Sequence, residues 1–309
     1  MHTDVAIVGG GPAGLQAALT LGRIHRRAVV LDDGTYRNAT VTHMHNVLTN
    51  DGTPPADFRA TVHRELAAYD TITVVPTRAH DIEQTGDTYR LRLADGSELT
   101  ADALVLATGV RDELPAIDGL SELWGDLAAQ CPFCHAHEFA GTRIGILGAA
   151  PAPHFAAMLG PIASELVVFA NGEALPDTWQ GGADVRQERI TSVARHDGGV
   201  RVTLDSAQSA EGSHRADGAP QHEQVSVLFV VPTLHQSAPF AEQLGLELNP
   251  SGCVRVDEFG RTSHAGVYAA GDMAHQPVFP MPMASVVMSQ AMGQLAAFTA
   301  QSTLMAAGR

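Results

Sequence analysis

Residues 4–33, DVAIVGGGPAGLQAALTLGRIHRRAVVLDD, contain the clearest fold signal in the chain. Its first apolar run, residues 4–8, predicts a short buried strand, and residues 15–22 have the composition of a helix. A second apolar run, residues 28–31, predicts another strand and ends at two aspartates. The order strand, glycine-rich turn, helix, strand and acid within about 30 residues is the fingerprint of a dinucleotide-binding βαβ unit.

The turn between the first strand and the helix has the pattern G-x-G-x-x-G. Such glycines allow a tight turn and let backbone amides approach a pyrophosphate, which lies at the N-terminus of the helix. An acidic side chain at the end of the second strand can bind a ribose hydroxyl, and we choose Asp32 over Asp33 for this role. We expect the turn to bind a dinucleotide through Gly9, Gly11, Pro12, Ala13 and Gly14.

The bulk composition excludes several classes of partner. The chain has 309 residues and a formal net charge of -15, so it offers no basic surface for nucleic acid or for an anionic membrane. No apolar run is long enough to span a bilayer, and the N-terminus lacks the pattern of a signal peptide. Three cysteines are too few for a disulfide scaffold. The sequence therefore predicts a cytoplasmic globular protein.

The segment CPFCHAHEF, residues 131–139, allows three interpretations. C-x-x-C-H is the attachment pattern of a c-type haem, and two cysteines with His135 and His137 could bind zinc. The third interpretation is a redox-active dithiol formed by Cys131 and Cys134. Haem attachment is disfavoured because it normally takes place outside the cytoplasm. Zinc is disfavoured because the ligands lack the usual long separation between pairs, and we expect no metal.

Two later stretches, ALVLATG and TSHAGVYAAGDMAHQP, resemble the ATG and GD motifs of two-dinucleotide-binding flavoproteins. The resemblance implies FAD as the cofactor, with Asp272 binding the ribityl chain. A helix is predicted from about residue 282 to 303, and its N-terminus would point at the flavin. The residues implied as further FAD contacts are Asn46, Ala107, Thr108, Gly109, Gly271, Met283 and Ala284.

Residues 142–172 repeat the plan of strand, glycine turn, helix and strand. We therefore predict an α/β protein with two Rossmann-like dinucleotide-binding domains of three-layer ββα type, the second inserted into the first. The predicted FAD-binding domain comprises residues 1–112 and 240–309, and the inserted domain comprises residues 113–239. A polar loop is predicted at residues 206–223.

The whole arrangement resembles the low-molecular-weight thioredoxin reductases over nearly the entire chain. The resemblance implies a homodimer and an NADPH site in the inserted domain. The second glycine turn departs from the family pattern, because Ala150 replaces the middle glycine and Pro153 has no amide to donate. After the next strand the chain offers no arginine for a 2'-phosphate, and Glu173 would repel it. We expect weak NADPH binding; a degenerate but working nicotinamide site is the alternative.

The dithiol segment departs as well, since His135 follows the second cysteine where thioredoxin reductases commonly have aspartate. This combination resembles the dithiol oxidases that close the disulfides of gliotoxin and holomycin. It implies that a Cys131–Cys134 disulfide takes electrons from a small dithiol and passes them through FAD to O2, giving hydrogen peroxide, with His135 as general base. The alternatives are an NADPH-dependent thioredoxin or small-disulfide reductase and a flavin-bound redox sensor.

Overall fold

The computed structural model describes residues 1–205 and 221–309. Most of the loop predicted at 206–223 lies outside the described residues. Its last three residues, 221–223, were predicted as loop but belong to a strand, because they pair with residues 202–204 in an antiparallel ladder.

The secondary structure of the described residues alternates short strands with helices along the chain. In chain order the strands are β1 (His2–Val8), β2 (Ala28–Leu31), β3 (Ile72–Val75), β4 (Ala79–Thr85), β5 (Thr88–Leu93), β6 (Glu98–Leu106), β7 (Val110–Glu113), β8 (Ala128–Ala129), β9 (Arg143–Leu147), β10 (Glu165–Phe169), β11 (Asp184–Arg186), β12 (Ile190–His196), β13 (Gly199–Leu204), β14 (Gln221–Val225), β15 (Val227–Val230), β16 (Thr233–Gln236), β17 (Val254–Arg255), β18 (Val267–Ala269) and β19 (Ala274–His275). The α-helices are α1 (Pro12–Gly22), α2 (Pro55–Leu66), α3 (Leu120–Leu123), α4 (Pro132–His135), α5 (Ala152–Leu159), α6 (Phe240–Gln243) and α7 (Val286–Ala306). Short 3-10 helices lie at Arg37–Thr40 and His137–Phe139.

The chain divides into two compact units. The first unit contains Met1–Ala39, Pro55–Asp112 and Leu234–Arg309; the second contains Thr40–Pro54 and Glu113–Thr233. The boundaries differ from our predictions in two places. Residues 40–54, which we had placed in the FAD-binding domain, group with the second unit, and the return to the first unit falls at residue 234 instead of 240. The first difference arises because residues 40–54 pair with each other and contact second-unit side chains.

The first unit is built on a sheet with the order β3-β2-β1-β6-β5-β4, and β18 also pairs with β6. Strands β3, β2, β1, β6 and β18 are parallel, whereas β4 and β5 add an antiparallel hairpin beside the first half of β6. Because alternate residues of a strand face opposite sides, Val5 and Ile7 pack under α1, α2 and α7. Ala6 and Val8 face a second apolar cluster that includes residues of β4, β5 and β17. The result is the predicted three-layer arrangement.

The second unit repeats this plan on a smaller scale. Its parallel sheet has the order β11-β10-β9-β15-β8, and a separate antiparallel sheet has the order β12-β13-β14. On β10, Leu166 and Val168 face the cluster that contains α5, whereas Val167 and Phe169 face the antiparallel sheet. The prediction of two Rossmann-like α/β domains is thus confirmed.

The last helix begins later than predicted. Helix α7 starts at Val286, and the hydroxyl of Ser285 caps it by accepting a hydrogen bond from the amide of Met288 at 3.1 Å. Serine is a preferred N-cap because its side chain satisfies an amide that has no partner within the helix. Among the described residues, no helix is both long enough and apolar enough to cross a membrane.

Candidate active site

The three motifs of the first unit come together at one edge of its sheet. Val8, Leu31, Leu106 and Ala269 are in register across β1, β2, β6 and β18. The residues that follow each strand therefore lie side by side at the carboxyl end of the sheet, which is where open α/β sheets bind their ligands. These residues are the glycine turn after β1, the aspartates after β2, the Ala-Thr-Gly turn after β6 and the Gly-Asp turn after β18.

The turn after β1 requires glycine at two positions because neighbouring backbone lies too close for a side chain. Gly9 has a φ of +118°, and a Cβ built on it would lie 2.3 Å from the carbonyl oxygen of Ala107. A Cβ on Gly14 would lie 1.9 Å from the carbonyl oxygen of Gly9. The first and third glycines of the motif therefore hold the turn against the ATG motif and against the start of α1.

The middle glycine has a different environment, which fits the pyrophosphate of FAD. No atom lies within 4 Å of a Cβ built on Gly11. Gly11 is the N-cap of α1, and among the described residues no side chain caps this helix end. Uncapped amides that face open space at the positive end of a helix are suited to a pyrophosphate. The turn fits the dinucleotide that the sequence predicts.

Of the two aspartates after β2, Asp32 lies at the turn. Its side chain is 6% exposed, and its carboxyl group lies against Gly10. Its oxygens accept hydrogen bonds from the amide of Gly34 at 3.0 Å and from the hydroxyl of Tyr36 at 2.7 Å. Each oxygen retains a second lone pair for a ribose hydroxyl. Burial, followed by the hydrogen bond to Asp32, raises the pKa of Tyr36 to about 12, so Tyr36 remains a donor at neutral pH.

Asp33 is directed elsewhere. It accepts hydrogen bonds from the guanidinium of Arg78 at 2.7 Å and from the amide of Thr35 at 2.9 Å. Its burial would raise its pKa, but the Thr35 and Arg78 interactions outweigh this and lower it. This geometry supports the choice of Asp32 for the ribose.

Asp272 has a partner that the sequence analysis missed. Arg37 donates to Asp272 at 2.7 Å and to the two oxygens of Asp112 at 2.6 and 3.0 Å. Burial alone would lower the pKa of Arg37, but the two carboxylates outweigh it and raise the pKa further. Ser289, on α7, also donates to Asp272 at 3.4 Å. No local pattern marks Arg37, because its partners lie 75 and 235 positions away in sequence.

The remaining predicted cofactor contacts are arranged less simply. The hydroxyl of Thr108 donates to the sulfur of Met273 at 3.3 Å. Met283 and Ala284 were predicted to open α7 but precede it, and the amide of Ala284 already donates to the carbonyl of Pro282 at 2.9 Å. Asn46 lies in the second unit, so the structure does not group it with the other predicted contacts.

In the second unit, Cys131 and Cys134 form a disulfide with their Cα atoms 5.3 Å apart. Cys131 is the N-cap of the single-turn helix α4, and the amide of Cys134 donates to its carbonyl at 3.1 Å. The turn thus places both sulfurs at one end of the same short helix. A disulfide closed within one helical turn is the oxidised form of the dithiol that the sequence predicts.

His135 ends α4 and is largely withdrawn from water. Its Nδ1 is buried and has no hydrogen-bond partner among the described residues. Burial lowers the pKa of His135 below its ordinary value, against opposing contributions from the carbonyl of Gly125 and the carboxylates of Glu138 and Asp126. A neutral imidazole with a free ring nitrogen can accept a proton from a thiol.

The second glycine turn has a different construction from the first. Pro151 is the N-cap of α5, and Pro153 lies in the first turn of that helix. Proline has no amide hydrogen, so this helix end offers fewer donors to a pyrophosphate than α1 does. Ala150, at the position of the middle glycine, carries a side chain that Gly11 lacks.

The segment after β10 is the one that holds a 2'-phosphate in NADPH sites of this kind. In this chain, polar groups of this segment are hydrogen-bonded to other residues of the second unit. The side-chain oxygen of Asn171 accepts a hydrogen bond from the amide of Ile190 at 2.8 Å. Arg186 lies beside this segment, because its carbonyl accepts a hydrogen bond from the amide of Ala170 at 2.8 Å. The guanidinium of Arg186 donates a hydrogen bond to Glu223 at 2.5 Å. This arginine therefore already has a carboxylate partner.

Comparison with known proteins agrees with this architecture. A family model described as pyridine nucleotide-disulphide oxidoreductase matches residues 3–293, and the chain belongs to this family. It is 33% identical to the thioredoxin reductase aclD of Aspergillus oryzae, over 97% of this chain and 96% of that protein. It is 33% identical to the thioredoxin reductase sirT of Leptosphaeria maculans, over 88% and 86% of the two chains.

A solved structure shares the fold. The oxidoreductase from Agrobacterium tumefaciens superimposes with a TM-score of 0.86 at 33% identity, over 99% of each chain. These comparisons confirm the predicted resemblance to the thioredoxin reductases. The protein is a flavin-dependent thiol/disulfide oxidoreductase.

Proposed function

We propose that the protein is an FAD-dependent dithiol oxidase that closes an intramolecular disulfide in a small dithiol, such as a natural-product precursor. One observation carries the proposal. The second unit keeps the cysteine pair next to His135, whose Nδ1 is buried, while its own nucleotide turn has Pro153, which lacks an amide hydrogen, at the position of Gly14. An enzyme with these features is suited to receive electrons from a dithiol and poorly suited to receive them from NADPH.

The cysteine pair performs the exchange with the substrate. A substrate thiolate attacks the sulfur of Cys131, the bond between the two sulfurs breaks, and Cys134 leaves as a thiolate. The second substrate thiolate then attacks the substrate sulfur of this mixed disulfide and expels Cys131, which closes the product disulfide. Two electrons have moved from the substrate to the cysteines.

His135 supports both attacks by holding protons. A thiol reacts only as its thiolate, and the imidazole of His135, the residue directly after Cys134, is the group we assign to take the proton of the incoming thiol. Because burial lowers the pKa of His135, the ring stays neutral and able to accept a proton to lower pH than an exposed histidine would.

The cofactor would be held by the first unit. The turn at Gly9–Gly14 would bind the pyrophosphate, Asp32 the ribose and Asp272 the ribityl chain; the open space at Gly11 and the remaining lone pairs of Asp32 support the first two assignments. Bound FAD would accept the two electrons from the cysteine pair and pass them to O2, so that one dithiol and one O2 give one disulfide and one hydrogen peroxide. We also propose a cytoplasmic homodimer; both features stay predictions from the sequence.

The test follows the flavin absorbance near 450 nm in purified, FAD-loaded protein without oxygen. We expect a small dithiol to bleach the flavin and air to restore it over many turnovers, with one hydrogen peroxide formed per disulfide. NADPH at micromolar concentration should leave the flavin oxidised. Bleaching by NADPH within seconds would instead identify an NADPH-dependent reductase, and failure to turn over more than once would identify a redox sensor.

Cys131→Ser and Cys134→Ser provide the matched control. Each should retain the flavin, because the cysteines lie in the other unit from the predicted FAD site. Each should slow dithiol oxidation by about a thousandfold or more, because the single cysteine that remains cannot form the disulfide that exchanges with the substrate. Dithiol oxidation at the unchanged rate in either variant would refute the exchange mechanism.

A further inference from the structure

Residues 40–54 form a closed loop that belongs to the second unit although the chain on both sides belongs to the first. The amide of Met44 donates to the carbonyl of Thr53 at 3.0 Å, and the amide of Gly52 donates back to the carbonyl of Met44 at 2.9 Å. Met44 and Val47 are buried. This loop, which we call the 40–54 loop, therefore has a defined conformation and is not a loose connection between units.

One histidine of the 40–54 loop lies between two carboxylates. Nδ1 of His45 is 3.4 Å from an oxygen of Asp51, within the same loop. Nε2 of His45 is 3.6 Å from an oxygen of Glu138. Asp51 is held in place because its other oxygen accepts the amide of Asn46 at 2.7 Å. The amide of Asn46 and the imidazole of His45 both lower the pKa of Asp51, with a smaller contribution from His137.

The contact between His45 and Glu138 matters because Glu138 lies close in sequence to the dithiol. Glu138 lies in the 3-10 turn His137–Phe139, directly after the helix that carries Cys134 and His135. The chain Asp51–His45–Glu138, which we call the carboxylate–imidazole bridge, therefore ties the 40–54 loop to the turn that follows the dithiol.

The same loop reaches His135 by a second route. Thr40 lies against Gly125, and the carbonyl of Gly125 faces the ring of His135. The charged groups whose electrostatic fields act on His135 come from three segments: His45 from the loop, Glu138 from the 3-10 turn and Asp126 from the segment before β8. Asp126 has its own partner, since Arg195 donates to it at 2.5 Å. The bridge is the part of this environment that depends on the loop.

We propose that His45 and Glu138 are positioning residues for the dithiol centre: through the carboxylate–imidazole bridge they hold the 40–54 loop beside His135 and keep its ring shielded from water and correctly placed for proton transfer. This inference rests on the proposed function of Cys131, Cys134 and His135. The bridge residues take no part in bond making. Their loss loosens the wall of the site while leaving the cysteine pair and the first unit intact.

The first measurement is the titration of His135 in FAD-loaded protein labelled with 13C at the histidine Cε1, with its signal assigned from the spectrum of a His135→Gln variant. In His45→Gln the ring of His135 becomes more exposed and loses a neighbouring imidazole that lowers its pKa. Its titration midpoint should therefore rise toward the ordinary value of about 6.5. His43→Gln is the matched control, since His43 is an exposed histidine of the same loop that contacts the neighbouring Thr42.

The second measurement is the rate at which dithiothreitol reduces the Cys131–Cys134 disulfide without oxygen, followed by alkylation and mass spectrometry. We expect His45→Gln and Glu138→Gln each to slow this step about tenfold at neutral pH, as loss of a well-placed general base would. The double variant should be no slower than either single variant, because both changes break the same bridge. His43→Gln should react like the wild type, and so should Glu122→Gln, a change of an exposed glutamate in the same unit.

The outcomes separate this inference from the proposed function. If His45→Gln matches His43→Gln in both the titration and the rate, the inference is overturned. If His45→Gln does not retain its fold, Glu138→Gln decides through the rate alone. Because neither measurement involves oxygen or the natural dithiol, a protein that shows both effects but produces no hydrogen peroxide would refute the oxidase and leave the bridge established.

Discussion

The first unit keeps four glycines in GGGPAG at the start of an eleven-residue helix, whereas the second keeps one glycine in GAAPAP at the start of an eight-residue helix. Both turns join a strand of a parallel sheet to a helix packed on that sheet. The first has open space at its middle glycine, whereas the second has Ala150 at that position and Pro153 at the position of Gly14. One fold is thus present twice in the chain, while the full glycine motif is present only once.

The largest effect is expected when glycine is replaced by alanine in the first turn. Two positions of this turn, Gly14 and Gly11, differ in what surrounds them and therefore provide a test and its control. Gly14→Ala would place a Cβ 1.9 Å from the carbonyl of Gly9. We expect it to destabilise the protein by about 3 kcal/mol or more and to release the flavin. Thermal melting of the flavin-free protein and the ratio of absorbance at 450 and 280 nm measure the two effects.

Gly11→Ala is the matched control for that change. Its φ of -77° suits alanine, and nothing lies within 4 Å of the new Cβ. The flavin-free protein should melt as the wild type does, within about 0.5 kcal/mol, while the affinity for FAD falls at least about tenfold because the methyl group occupies the pyrophosphate position. Equal FAD affinity in Gly11→Ala and the wild type would contradict the assignment of this turn.

The next effect concerns the arginine that holds the Gly-Asp motif. Arg37→Met leaves Asp112 and Asp272 without the guanidinium between them. Removing one partner from a largely buried ion pair costs about 3 kcal/mol, and urea denaturation should show a loss of about this size or less, because the Arg37 side chain is 20% exposed. Arg78→Met removes an exposed pair with Asp33, in which Arg78 is 57% exposed, and should cost no more than about 1 kcal/mol. Equal losses of unfolding free energy in the two variants would show that the ion pairs of Arg37 stabilise the fold no more than the exposed pair of Arg78 and Asp33 does.

A smaller effect is expected when the second turn is made more like the first. The double change Ala150→Gly and Pro153→Ala restores a glycine and a backbone amide, and Glu173→Arg adds a positive charge. Asn171 is left unchanged because its side chain holds the amide of Ile190 and its φ is +54°. We expect NADPH affinity to rise about tenfold, or about 1.4 kcal/mol, from the glycine and amide, and by a similar factor from the arginine. Isothermal titration measures both; an unchanged affinity would mean that other features close the site.

The smallest effect is the pH dependence contributed by His135. Its folded pKa lies below the ordinary histidine value, chiefly because of burial. Between the two values the unfolded chain binds more protons than the folded chain, so the free energy of unfolding rises with pH across that window. His135→Gln should lose this slope. Urea unfolding of both proteins at pH 5 and pH 7 tests it, and identical slopes would show that the ring is not buried as described.

Much of the fold could be predicted from the sequence, because the signals that define it are local. The turn Gly9–Gly14, the strand Ala28–Leu31 and the repeat at residues 142–172 lie where the patterns placed them. The start of α7 was missed although a local signal existed, since Ser285 is a preferred N-cap and the prolines before it disfavour a helix. The residue types alone also predicted the candidate dithiol and the second glycine turn that offers fewer backbone amides.

The residue types of each short segment were enough to predict the chemistry that it can offer: amides at a glycine turn, a cysteine pair within one helical turn, and prolines where amides are missing. Which distant side chains meet followed only from the packing of the whole chain. Arg37 donates to Asp272, which lies 235 positions later in the sequence. The 40–54 loop groups with the second unit, although the rest of that unit, Glu113–Thr233, follows much later in the chain. Local conformation follows from neighbouring residues, whereas contacts such as the one between His45 and Glu138 depend on how the whole chain packs, and no periodic pattern encodes them.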